Sequence, residues 1–75
     1  MTTQELLIGE INVVSDFVEV LALRRAHGEV SELYPDLRDL RETIMYLRND
    51  APGYLQPELQ RLEACCATIL RSIVH

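Results

Sequence analysis

The residues of this chain best equipped for chemistry are Cys65, Cys66, His27 and His75. Thiolates and imidazoles bind zinc, and a thiolate beside an imidazole is a nucleophile. Their spacing argues against both uses. A metal site needs three or four ligands that converge, and the sequence holds no C-x-x-C, no H-x-x-x-H and no second cysteine pair. Neighbouring residues on a helix point about 100° apart, so a bond between Cys65 and Cys66 would be strained. The dyad reads as packing, with an intermolecular disulfide or a reactive thiol as the other options.

Nucleophile-base catalysis fares no better. His27 adjoins Gly28 and His75 closes the sequence, and spacing puts neither beside Ser15, Ser31, Ser72 or the cysteines. His27 suits the C-terminal dipole of a first helix. The three glycines form no phosphate-cradling loop. Asp36 and Asp39 fall on what reads as a solvated helical face. The expectation is therefore no catalytic residue, no cofactor, no metal and no small-molecule substrate, because a chain this size has little room for a shaped pocket.

The elements that carry these residues are helical. Three segments show helical periodicity and none sustains alternation of period two. The first, over about residues 3–27, opens with Thr2 and Glu5 in capping-box spacing. Leu7, Ile11, Val14, Val18 and Leu21 then recur at spacings of four, three, four and three. A second stripe runs beside them through Leu6, Val13, Phe17 and Val20, opposite Glu5, Gly9, Asn12, Asp16 and Glu19. Arg24 and Arg25 suit the last turn, and Gly28 the cap after it.

Val30, Leu33, Leu37, Leu40, Ile44 and Leu47 keep the same spacing, interrupted by Pro35. Proline belongs in a first turn, so the second helix is predicted to start near Tyr34 or Pro35, with 30–33 as a loose turn on the same face. An Arg38–Glu42 pair is expected on its exposed side. The "NDAPGY" cluster ends it, and a third helix starts near Pro57 with the stripe Leu55, Leu59, Leu62, Cys66, Ile69 and Ile73.

The predicted fold is all-α, over 1–75 as one domain. It is a small three-helix up-down bundle, or a helical hairpin with a bent second arm, with coiled-coil-like packing. Its expected core is Leu7, Ile11, Val14, Phe17, Val18, Leu21, Leu37, Leu40, Ile44, Leu47, Leu59, Leu62, Cys66, Ile69 and Ile73.

Composition bounds the function. The chain has 75 residues, is 48% hydrophobic and carries a net charge of −5. That charge repels phosphate backbones and anionic membranes, so neither nucleic acid nor membrane is an expected partner. No run is long and apolar enough to span a bilayer and no secretion signal is visible, which makes a cytoplasmic protein the expectation. A domain this small buries only about 60% of the surface its unfolded chain exposes. Two adjacent apolar stripes on the first helix either both turn inward, filling the groove between the second and third helices, or leave one open. The small core favours the open stripe, so Leu6, Leu7, Val13, Phe17 and Val20 are expected to meet a partner helix or a second copy. Tyr34 and Tyr54 flank the two turns, where they either pack helix ends or join that contact.

The expected function is a non-enzymatic adaptor or chaperone-like protein. Small acidic helical co-chaperones of bacterial secretion systems share its size and character, without any shared motif. The alternative is an acidic antagonist, of a kind a phage could encode, that blocks a basic site on a regulator or nucleic-acid-binding protein.

Overall fold

A computed structural model describes residues 3–73. Helix α1 runs Thr3–Ala26, α2 runs Leu33–Asp50 and α3 runs Gln56–Ile73, with a short 3₁₀ turn at Gly53–Leu55 before α3. Each helix packs on the other two, and the chain is an all-α three-helix bundle. The turn between α2 and α3 separates them fully, so the bent-arm hairpin is not what forms. Thr2, the predicted partner of Glu5 in the capping box, lies outside the described residues, as do Val74 and His75.

The first connection is set by Gly28, at φ +97, a conformation that costs a residue with a Cβ. Its N–H donates to the Arg25 carbonyl at 3.0 Å and the next N–H, of Glu29, donates to Arg24 at 3.2 Å. This pair of bonds is the Schellman closure that satisfies the last carbonyls of a helix. Arg24 then crosses the turn. Its guanidinium donates to Glu29 Oε1 at 3.0 Å and to Asp36 Oδ2 at 2.9 Å, which pins the first turn of α2 to the end of α1. Asp36 is thus ion-paired and half-buried, not on a solvated face.

Residues 30–33 do form a turn, held by Leu33 N–H to Val30 O at 3.1 Å, but α2 begins at Leu33, ahead of the predicted start. Pro35 is its third residue, where an amide has no intrahelical partner to lose. At the far end Ala51 is extended, as the residue before Pro52 must be. The Gln56 amide closes that corner by donating to the Arg48 carbonyl at 2.7 Å and the Ala51 carbonyl at 3.0 Å. Arg48 pairs with Glu63 across α2 and α3.

The core is one aliphatic cluster: Ile11, Val14, Val18 and Leu21 from α1, Leu33, Leu37, Leu40, Ile44 and Leu47 from α2, and Leu59, Leu62, Cys66 and Ile69 from α3. Leu33 joins it, which the late predicted start of α2 had left out. Leu7 and Ile73 lie at its edge, half-buried. Phe17, predicted to be inside, is 40% exposed. The reason is rotational. α1 presents the stripe through Val14 and Val18 to its neighbours, and Phe17 lies on the shoulder of that stripe.

Candidate interaction surface

The outer face of α1 holds the apolar residues that the core leaves out. Leu6, Val13, Phe17 and Val20 are 53%, 68%, 40% and 46% exposed, and Leu23 extends the line at 62%. Its spacing, three after Val20, is the sequence signal for it, although it adjoins the charged last turn of Arg24 and Arg25. Leu6 and Val13 line one shallow depression with Gly9, Glu5, Glu10 and Thr43. A second shares Glu10 and Thr43 and continues onto α2 through Asp39, Glu42 and Tyr46.

Helix lengths carry part of this face past the start of α3. Arg25 Nε donates to Ser72 Oγ at 3.0 Å, so the penultimate residues of α1 and α3 lie side by side. α1 has 24 residues and α3 has 18. At 1.5 Å per residue the excess of six residues carries α1 about 9 Å past the start of α3. Within residues 3–8 only Leu7 escapes exposure, by packing on the core edge.

The predicted site residues therefore divide. Leu6, Val13, Phe17 and Val20 share one face, and Leu7 belongs chiefly to the core edge. Tyr34 is exposed but lines a cleft between α2 and α3 with Arg38, Arg41, Met45 and Leu70. Tyr54 is exposed in the turn before α3. Neither tyrosine lines the depressions beside the α1 stripe, whereas Tyr46, the most exposed aromatic at 73%, does. All four aromatic side chains of the protein lie outside the core, which is unusual for residues that contribute so much packing area.

A different groove separates α1 from α3, about 460 Å³ in volume, where Ser15, Ala22, Ala64, Cys65 and Thr68 are too short to close the gap over Val18 and Ile69. Cys65 is half-buried in its wall, and Cys66 is fully buried beneath it. Both thiols are free. Burial, and to a smaller degree the neighbouring Cys65, pushes the Cys66 thiol up to about 11, which makes it a poor nucleophile. No histidine lines the groove. His27 is exposed at the end of α1, and the Ser72 hydroxyl is occupied by Arg25 and by the Ile69 carbonyl, to which it donates at 2.6 Å. Among the described residues no three His, Cys, Asp or Glu side chains are grouped as metal ligands, and no helix is long and apolar enough to cross a membrane.

Charge is unevenly shared around the bundle. Arg24, Arg38, Arg48 and Arg61 are each ion-paired, the last with Glu58, whose carboxyl the Arg61 guanidinium holds below its usual range. Arg38 pairs with the adjacent Asp39 at 3.6 Å and not with the predicted Glu42. Glu10, Asp16, Glu19 and Glu42 form no ion pair among the described residues. The α1 stripe is thus edged by carboxylates. Comparison of the chain with protein-family models, with curated proteins and with solved structures gives no match.

Proposed function

We propose that the protein is a non-enzymatic adaptor or chaperone-like module that receives an amphipathic helix, from a partner or from a second copy, on the outer face of α1. One observation carries the reading: Val13, Phe17, Val20 and Leu23, with Leu6 beyond a turn that holds Gly9 and Glu10, form an exposed apolar line on a helix whose other stripe already supplies the core. Exposed apolar surface of this extent is costly to a lone molecule in water and marks interaction sites. Helix-in-groove recognition uses i, i+4, i+7 anchors such as Val13, Phe17 and Val20. Free thiols at Cys65 and Cys66 fit a cytoplasmic setting, and a secretion co-chaperone is one form such a module takes.

Sedimentation velocity combined with binding of a hydrophobic dye tests the reading. The expectation is dye binding that Val13→Gln with Phe17→Gln removes while helicity stays unchanged. A monodisperse monomer that binds neither dye nor any amphipathic peptide overturns it.

The carboxylates around the stripe favour a second reading, an acidic antagonist that covers a basic site on another protein. Salt separates the two. Apolar docking persists at high ionic strength, whereas charge-driven blocking weakens steeply.

A further inference from the structure

We infer that the occupant of the α1 stripe is a basic-edged amphipathic helix of another protein, and not a second copy of this chain. The inference rests on the reading of α1 as a docking face and names its partner by chemistry. From Leu6 to Leu23 the stripe spans 17 residues, about 26 Å of helix, which matches a partner helix of about five turns.

The charges beside it select the partner. Between residues 3 and 23 the helix carries Glu5, Glu10, Asp16 and Glu19 and no base, and on the α3 side Arg61, already paired with Glu58, shares a groove with Glu19. On the α2 side the adjoining depression adds Glu42, which forms no ion pair among the described residues, and Asp39, which Arg38 already engages at 3.6 Å. Arg24, at the C-terminal end of the stripe, is already engaged by Glu29 and Asp36. An apolar ridge between two acidic margins complements a helix with an apolar seam between arginines or lysines.

The same margins count against self-pairing. Two α1 helices laid stripe to stripe, parallel or antiparallel, bring carboxylates against carboxylates, because the stripe has no cation to offer. Like charges set opposite one another across an interface suppress that pairing. The cleft of Tyr34, Arg38 and Arg41, which Glu42 also lines and where Arg38 is already paired with Asp39, could receive the acidic face only head to tail, in an arrangement that does not close on itself, and a net charge of −5 resists such stacking.

Binding of synthetic helices to the full chain, read by fluorescence anisotropy, tests this. Three peptides of about five turns are compared: a leucine seam with arginine margins, the same seam with glutamate margins, and a scrambled arginine-rich peptide without a seam. The basic-edged seam peptide is expected to bind at least about tenfold more tightly than the acidic-edged one at low salt. Glu10→Gln with Asp16→Asn should erase most of that difference, and Val13→Gln with Phe17→Gln should abolish binding of both seam peptides with unchanged helicity. Equal binding by the two seam peptides overturns the basic preference and leaves the docking face standing. No binding by either, or equal binding by the scrambled peptide, overturns the docking face itself. Self-association that Val13→Gln with Phe17→Gln reverses makes a second copy the occupant and overturns the inference.

Discussion

The Arg24 guanidinium reaches Asp36 Oδ2 at 2.9 Å, tying the last turn of α1 to the first turn of α2 across a corner that also holds Glu29. Both partners keep a substantial share of their side-chain surface in water, and the contact contributes as a network of three charges instead of a single strong bond. Arg24→Gln is expected to lower the melting temperature by a few degrees in low salt, with a smaller effect at high ionic strength. Adding Asp36→Asn to that variant should cost little more, because the two residues act through one contact. A double-mutant cycle by thermal denaturation checks both statements.

Two glycines on the same stretch of chain should respond oppositely to alanine. Gly28 sits at φ +97, where a Cβ is strained, so Gly28→Ala is expected to destabilise by roughly 1 kcal/mol. Gly9 lies within α1 with nothing near the position a Cβ would take. Gly9→Ala should stabilise by about 0.5–1 kcal/mol, the helix-propensity gain. Urea unfolding of the two variants side by side gives the comparison.

Val13 and Val14 are adjacent and face different surroundings. Val14 is buried in the core and Val13 is exposed. Val14→Asp would place a carboxylate without a partner in an aliphatic interior, at a cost of several kcal/mol, enough to unfold a domain of marginal stability. Val13→Asp should change stability by no more than about 0.5 kcal/mol. Circular dichroism at a single temperature should separate a helical protein from an unfolded one.

Much of this arrangement is legible in the sequence, and the exceptions have physical causes. Ile11, Val14, Val18 and Leu21 are read correctly because their spacing follows the 3.6-residue turn and each faces a neighbour helix. Phe17 is misplaced because two apolar stripes run side by side, and spacing alone does not say which one faces α2 and α3. Leu33 is missed because Pro35 suggests a later start, although the first turn needs no amide from it. The contact of Arg24 with Asp36 depends on how Gly28 redirects the chain, a three-dimensional outcome with no period to detect. On the candidate surface the α1 residues are visible in the pattern. Tyr34 and Tyr54 are exposed as an interface would need, but they are placed elsewhere by turns whose geometry the pattern does not encode.

Alkaline pH should expose the burial of Cys66. Its thiol is pushed up to about 11 in the folded chain, from a reference value of 9.0. Between those values the unfolded chain has released a proton that the folded chain still holds, so stability falls as pH rises. The slope from this group approaches at most about 1.4 kcal/mol per pH unit. Cys66→Ala should flatten that part of the profile, at the cost of a smaller side chain in the core. Urea midpoints of both proteins from pH 8 to pH 11, roughly spanning the window, provide the check.

α1 keeps its two apolar stripes apart. Ile11, Val14, Val18 and Leu21 answer to the fold, while Leu6, Val13, Phe17, Val20 and Leu23 stand outside the core cluster and are largely exposed. Heritable change can therefore act on the outer set with little penalty in folding. Substitution along the outer line leaves the architecture constant, so descendants should diverge fastest there and slowest one residue to its side.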